Sequence, residues 1–205
     1  MLSIIQAAGW PVWPLILCSI LALALIFERL YQLQTAKVIP PHTLEQAMDA
    51  TRRGPPTEEA IVKLESMGAL GPVLASGLRC LQKNPQASAQ DLTGSMEMAG
   101  RLAAGQLERY LSALATIASA APLLGLLGTV IGMIEIFGSS SVSGNQPAQL
   151  AHGISIALYN TAFGLIVAIP ALMFWRYFRS LVDNQLLSME VACEQFARHL
   201  NHLRF

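Results

Sequence analysis

The chain has 205 residues, of which 53% are hydrophobic and only 13% charged; thirteen basic and thirteen acidic side chains cancel to a net charge of zero, and the mean hydropathy is +0.47. A typical soluble domain carries about 25% charged residues, so this composition lies well away from one, and no nucleic-acid motif is present. The placement of charge says more than its sum: every Lys and Arg falls within Arg29–Arg109 or Arg176–Arg204, and residues 1–28 and 110–175 have none.

Spanning a bilayer takes about 20 apolar residues in a helix rising about 1.5 Å each, and basic residues stay on the cytoplasmic side. Three apolar runs meet or approach that length: Trp10–Phe27, Tyr110–Ile134 and Ile154–Trp175. Residues 1–33 therefore read as an external N-terminus and a first span that ends at Arg29. No basic n-region precedes its apolar run, so a cleaved secretory signal is not expected.

Residues 34–109 read as a cytoplasmic helical segment, punctuated by Pro40–Pro41, Gly54–Pro55–Pro56, Gly71–Pro72 and Asn84–Pro85. Thr57 is placed to cap a helix whose first turn carries Glu58 and Glu59, which suits the helix dipole. From about Ser88 no strong breaker separates the stripe Leu92, Met96, Ala99, Ala103, Leu107, Tyr110 and Leu114 from the second span. One helix longer than the membrane is expected there.

Residues 110–137 form the second span, running outward. Residues 138–150 form a short external loop without basic residues, and 151–178 a third span running inward to Arg176 and Arg179. Trp10 and Trp13 outside, and Tyr31, Tyr110, Trp175 and Tyr177 inside, stand where aromatic belts form. In residues 179–205, Val182, Leu186, Met189, Cys193, Phe196, Leu200 and Leu203 follow alternating spacings of four and three, a heptad seam that prolongs the third span into the cytoplasm. The Ser88–Arg109 helix of the same chain, a neighbouring subunit, or both fill such a seam. Cys18 lies within the first span and Cys80 and Cys193 on the reducing side, so no disulfide is expected. No spacing of Cys, His, Asp and Glu points to a metal, and no phosphate loop or nucleophile elbow is present. Neither a cofactor nor enzymatic activity is expected.

Small residues are gathered on two faces. In the second span these are Ala118, Ala121, Gly125, Gly128, Thr129 and Gly132; in the third, Gly153, Ala157, Asn160, Thr161, Gly164 and Ala168. Small faces let membrane helices approach closely, because packing rather than hydrophobicity drives their association. Ala118, Gly125, Gly128, Gly132, Ala157 and Gly164 are the expected packing positions. Thr129 lies about nine residues before the external loop and Thr161 about eleven after it, which puts both roughly 13–17 Å deep on antiparallel neighbours. A single membrane threonine commonly bonds its own helix. Two at one depth, with Asn160 beside them, better suit a polar lining for an ion. No carboxylate stands at mid-depth: Glu28 and Glu108 fall at the cytoplasmic interface, Glu135 and His152 at the external one. A proton path needs a titratable carrier, so a partner helix must bring an Asp or Glu.

Ala121–Met133 (APLLGLLGTVIGM) resembles the second-span signature of the MotA/TolQ/ExbB proton channel family. Gly153–Ala162 (GISIALYNTA), with Gly164–Leu165 and Ala168–Ala171, resembles its third-span signature. Three spans are similar to the ExbB and TolQ branch rather than to the flagellar stators, which have four. The resemblance implies a homopentamer around the single membrane helices of an ExbD- or TolR-like dimer, whose membrane aspartate carries the proton. It also implies contact with a TonB- or TolA-like protein, and an apolar-walled central cavity would invite lipid. The family's pore-facing threonines fall on Thr129 and Thr161, with Asn160 adjacent. Where ExbB and TolQ proteins typically carry a third-span glutamate, this chain has Ile156, which cannot titrate; flagellar stators lack that glutamate too. Ser155, Asn160 and the two threonines offer the oxygen ligands that Na⁺ prefers, so H⁺ and Na⁺ both stay open.

The expectation is an all-α, multi-pass membrane protein of the bacterial inner membrane. It has three transmembrane helices, the N-terminus outside, and two of the helices extended far into the cytoplasm. Its expected role is a proton-channel motor subunit coupling the proton motive force to TonB- or Tol-dependent work at the outer membrane. The alternative is a non-conducting scaffold whose cytoplasmic helices recruit other proteins. Three spans without internal repeats or broken helices disfavour a secondary transporter.

Overall fold

The structure, a computed structural model, describes residues 10–52, 56–140 and 147–202. Part of the expected external N-terminus, of the Gly54–Pro55–Pro56 breaker and of the 138–150 loop, together with Leu203 of the heptad seam, lies outside those residues. The described residues fold into helices α1 (Val12–Gln32), α2 (Thr35–Val38), α3 (Thr43–Arg52), α4 (Glu58–Glu65), α5 (Leu70–Lys83), α6 (Ala89–Leu107), α7 (Leu111–Ser140) and α8 (Pro147–His202), with no strand among them. Stretches long and apolar enough to cross a membrane are carried by α1, α7 and α8.

The chain divides into two compact units, one of residues 1–28 and 110–177, the other of residues 29–109 and 178–205. In the first, large side chains face outward: Trp13 and Phe27 of α1, Leu123 and Ile134 of α7, and Leu158 and Ile166 of α8 are exposed, while Ala121, Ala157, Ala168 and Ala171 are buried. In water each large side chain left out forfeits about 1.5–3 kcal/mol, whereas hydrocarbon carries no such penalty. Leu15 of α1 joins Ala121 and Ala168 in a core edged by Leu124, Phe163 and Val167. Pro122 and Pro170 lie inside α7 and α8, which membrane helices tolerate where neighbours re-satisfy the freed backbone.

The second unit sorts its side chains as water demands, burying Ile61, Leu74, Leu78, Leu92, Val182 and Phe196. Helix α5 packs on α4 and α6, and α3 on α4 and α5. Thr57 caps α4 as its sequence indicates, accepting from the Ala60 N–H at 3.4 Å, and Ser88 with Asp91 closes a capping box on α6. Gly68 has φ +56°, and a Cβ there would lie 2.5 Å from the Lys37 carbonyl oxygen and 2.6 Å from that of Val38. Only glycine lets this turn press against α2, where the Ala69 N–H donates to the Val38 carbonyl at 2.8 Å. Along the heptad seam Val182, Met189, Phe196 and Leu200 are buried within the same unit, whereas Leu186 and Cys193 are half-buried.

The helical path from Ser88 into the second span is not continuous. Helix α6 stops at Leu107, α7 starts at Leu111, and Tyr110 between them is left-handed at φ 66°. A non-glycine residue there costs on the order of 1–2 kcal/mol. Glu108–Arg109–Tyr110 contains no breaker, so the cause lies in tertiary contacts. The Leu107 carbonyl, which an unbroken helix would give to an N–H one turn on, instead accepts from Arg29 Nη1 at 3.3 Å.

That contact belongs to a ring. Ala22, Ile26 and Arg29 of α1, with Leu33 just past its end, form one buried stripe, and Arg29, the first basic residue after the apolar run, is only 2% exposed. Gln185 of α8, 3% exposed, donates from Nε2 to the Leu33 carbonyl at 2.8 Å. Arg179 Nη1 meets Glu108 Oε1 at 2.8 Å and its Nε meets Asp183 Oδ1 at 3.3 Å. Helix C-termini leave carbonyls without intrahelical partners; here side chains of other helices cap the ends of α1 and α6. Arg29→Met keeps most of the volume and removes the guanidinium, so thermal unfolding in detergent should show a loss of about 1–3 kcal/mol. Arg29→Ala should lose more, because it adds a cavity. Wild-type stability in both variants would show that the buried guanidinium holds nothing together.

Candidate ion-pathway site

Glycines bring α7 and α8 into backbone contact. A Cβ on Gly125 would lie 2.7 Å from the Asn160 carbonyl oxygen and 3.1 Å from Thr161 Cα; one on Gly164 would lie 2.6 Å from the Ala121 carbonyl oxygen and 3.2 Å from Gly125 Cα. Real Cβ atoms do not come so close to backbone. Gly128 faces a side chain instead, with its would-be Cβ 2.8 Å from Asn160 Cβ and 2.9 Å from Nδ2. The fit is looser at Gly132, 3.4 Å from Ala157 Cβ, and Gly153 presses on the Ile136 side chain. Ala118 and Ala157 are buried.

This packing places the polar side chains. Gly128, next to Thr129 in sequence, abuts Asn160, next to Thr161, so all three polar residues stand at one level of the helix pair. Asn160 is 2% exposed; Thr129 and Thr161 are half-buried. Thr161 Oγ1 donates across to the Gly125 carbonyl over a long 3.4 Å, while Thr129 Oγ1 donates to the Leu126 carbonyl of its own helix at 2.7 Å. Thr116, Ser119 and Ser155 likewise bond their own helices. A hydroxyl that spends its proton on the backbone still presents oxygen lone pairs as acceptors.

Residues 111–134 and 153–175 contain no Asp, Glu, His, Lys or Arg. The level can therefore accept hydrogen bonds, but it has no acid or base of its own that titrates near neutral pH. Asn160 is the residue whose place sequence reasoning weighed least. The available signal was the pair Gly125 and Gly128: one glycine admits the facing backbone and the other admits the amide.

Residues 65–191 match the model of the MotA/TolQ/ExbB proton channel family. The chain is similar to biopolymer transport protein exbB1 of Vibrio cholerae serotype O1, 33% identical over 190 residues that cover 90% of this chain and 82% of that protein. It is also similar to biopolymer transport protein ExbB of Helicobacter pylori, 48% identical over 68 residues (33% of this chain, 47% of that one). The Tol-Pal system protein TolQ of Haemophilus influenzae is 41% identical over 101 residues, 46% of this chain and 43% of its own.

The backbone contact yields a sharp expectation. Gly125→Ala and Gly164→Ala force α7 and α8 apart and should each lower stability by about 1–3 kcal/mol, as overpacking does. Gly138→Ala, where a Cβ meets nothing within 4 Å, should not. Thermal unfolding in detergent compares the three; equal effects would remove close packing as the reason for these glycines.

Proposed function

The chain belongs to the MotA/TolQ/ExbB proton channel family, and from that premise we propose that it is the multi-pass subunit of a proton-driven motor in a bacterial inner membrane, with its polar unit in the cytoplasm. Several copies, five by family likeness, surround the membrane helices of an ExbD- or TolR-like partner. The partner's carboxyl carries the proton, and the flux powers TonB- or Tol-dependent work at the outer membrane. One elementary charge crossing about 100 mV releases roughly 2.3 kcal/mol, a sensible quantum for moving one helix against another.

The observation that carries this reading is the level of Thr129, Asn160 and Thr161, rich in acceptors and without any acid of its own. A protonated carboxyl is a donor, and acceptor oxygens at that depth dock it in the state that must traverse the apolar interior. The Thr129–Leu126 bond, which a pore does not require, is what favours the scaffold reading.

Proteoliposomes holding the chain and its single-span partner decide between them. Thr129→Val and Thr161→Val should each lower proton uptake by about tenfold, the kinetic value of one hydrogen bond of about 1.4 kcal/mol, with Ser restoring it at either place. Undiminished uptake in both Val variants removes the pore-lining assignment. Flux that follows Na⁺ instead of H⁺ assigns the stator-like alternative.

A further inference from the structure

We propose that the groove between α6 and α8 in the second unit receives a basic amphipathic helix of another polypeptide. This is independent of the ion carried. The groove encloses about 560 Å³ and runs beside residues 93–104 of α6 and 186–197 of α8, a length of about 16 Å or three helical turns. Met96, Leu186 and Met189 line it, and methionine adapts its shape to what it meets.

Gly100 also lines it, and a Cβ there would meet nothing within 4 Å. Glycine weakens a helix interior, and no neighbour in this chain requires one at this place. What it leaves is backbone open to close approach from outside. Among the described heptad positions, Leu186 and Cys193 are the two that the chain covers only in part, and heptad spacing is the pattern that a second helix fills. The shape therefore asks for a helix with an apolar stripe.

Charge settles what flanks that stripe. Glu97, Glu190 and Glu194 stand at the rim against Arg101. Glu97 pairs with Arg101 at 2.7 Å and Glu194 pairs with Arg198, but Glu190 has no ion pair among the described residues. Cys193 registers the surroundings: burial, and then the charge of Glu190, push its thiol up from 9.0 to about 11. Lys and Arg beside an apolar stripe complement such a rim. A second copy fits it less well. Its exposed pairs Met98 with Leu102 and Leu187 with Val191 lie beside Glu97 with Arg101 and beside Glu190 with Glu194, and bring no surplus of base.

The test uses the full chain in phosphatidylcholine nanodiscs and a fluorescent Leu/Lys peptide of about 16 residues with leucines at helical i, i+3, i+4, i+7 spacing. Anisotropy titration should show binding that weakens about tenfold or more in Gly100→Leu, which fills the groove from its floor, and in Glu190→Lys with Glu194→Lys, which reverses the rim. A scrambled peptide of the same composition should not bind. Gly100→Leu should unfold no earlier than wild type, since leucine favours helix over glycine. Equal affinity for wild type, both variants and empty nanodiscs overturns the proposal. So does a chain-to-chain cross-link through Gly100→Cys, formed by a short bismaleimide after the three native cysteines are replaced by serine, because it would put a second copy in the groove.

Discussion

Two glycines that let the backbones of α7 and α8 touch are the constraint from which the membrane unit follows. Gly125 lies on the Asn160–Thr161 backbone and Gly164 on that of Ala121. In hydrocarbon, burying leucine against leucine gains nothing over leaving it against lipid, so association relies on contact between small faces. Large side chains are displaced to the outside, as Leu123, Ile134, Leu158 and Ile166 show. The same closeness sets Thr129, Asn160 and Thr161 level. The common level of the polar groups on the two helices is a consequence of how the helices pack.

A different constraint rules the polar unit: helix ends that fall inside a bundle must have their carbonyls answered. Arg29 answers Leu107 and Gln185 answers Leu33, each from a different helix, and Arg179 closes the circuit at Glu108. Where α6 ends, the Leu107 carbonyl is answered by a guanidinium. Tyr110 beyond it is left-handed, a backbone strain that the charge-assisted contacts around this helix end offset.

Much of this was legible in the chain itself, for identifiable reasons. Spans follow from apolar length and the absence of Lys and Arg, both local properties. The facing glycines follow from their 3.6-residue periodicity. What escaped was whatever needed knowledge of a distant partner. Arg29 at the end of an apolar run reads as a solvated anchor, yet it lies buried on the stripe of Ile26 and Leu33. Glu108–Arg109–Tyr110 reads as helix because it holds no local breaker, and the side chain that answers the end of α6 comes from 78 residues away in sequence. The heptad seam of α8 showed that a partner exists without showing that Val182, Met189 and Phe196 would find it in this chain while Leu186 and Cys193 stayed partly open.

Water accessibility at the level of the facing glycines tests the account most directly. In a chain freed of native cysteines, reconstituted alone in proteoliposomes, Thr129→Cys and Thr161→Cys should react with a membrane-impermeant methanethiosulfonate, whereas Leu126→Cys and Ile166→Cys, on exposed apolar faces, should not. Reaction at Leu126 and Ile166, with silence at both threonine positions, would place the hydroxyls against lipid and contradict a wet path between these helices.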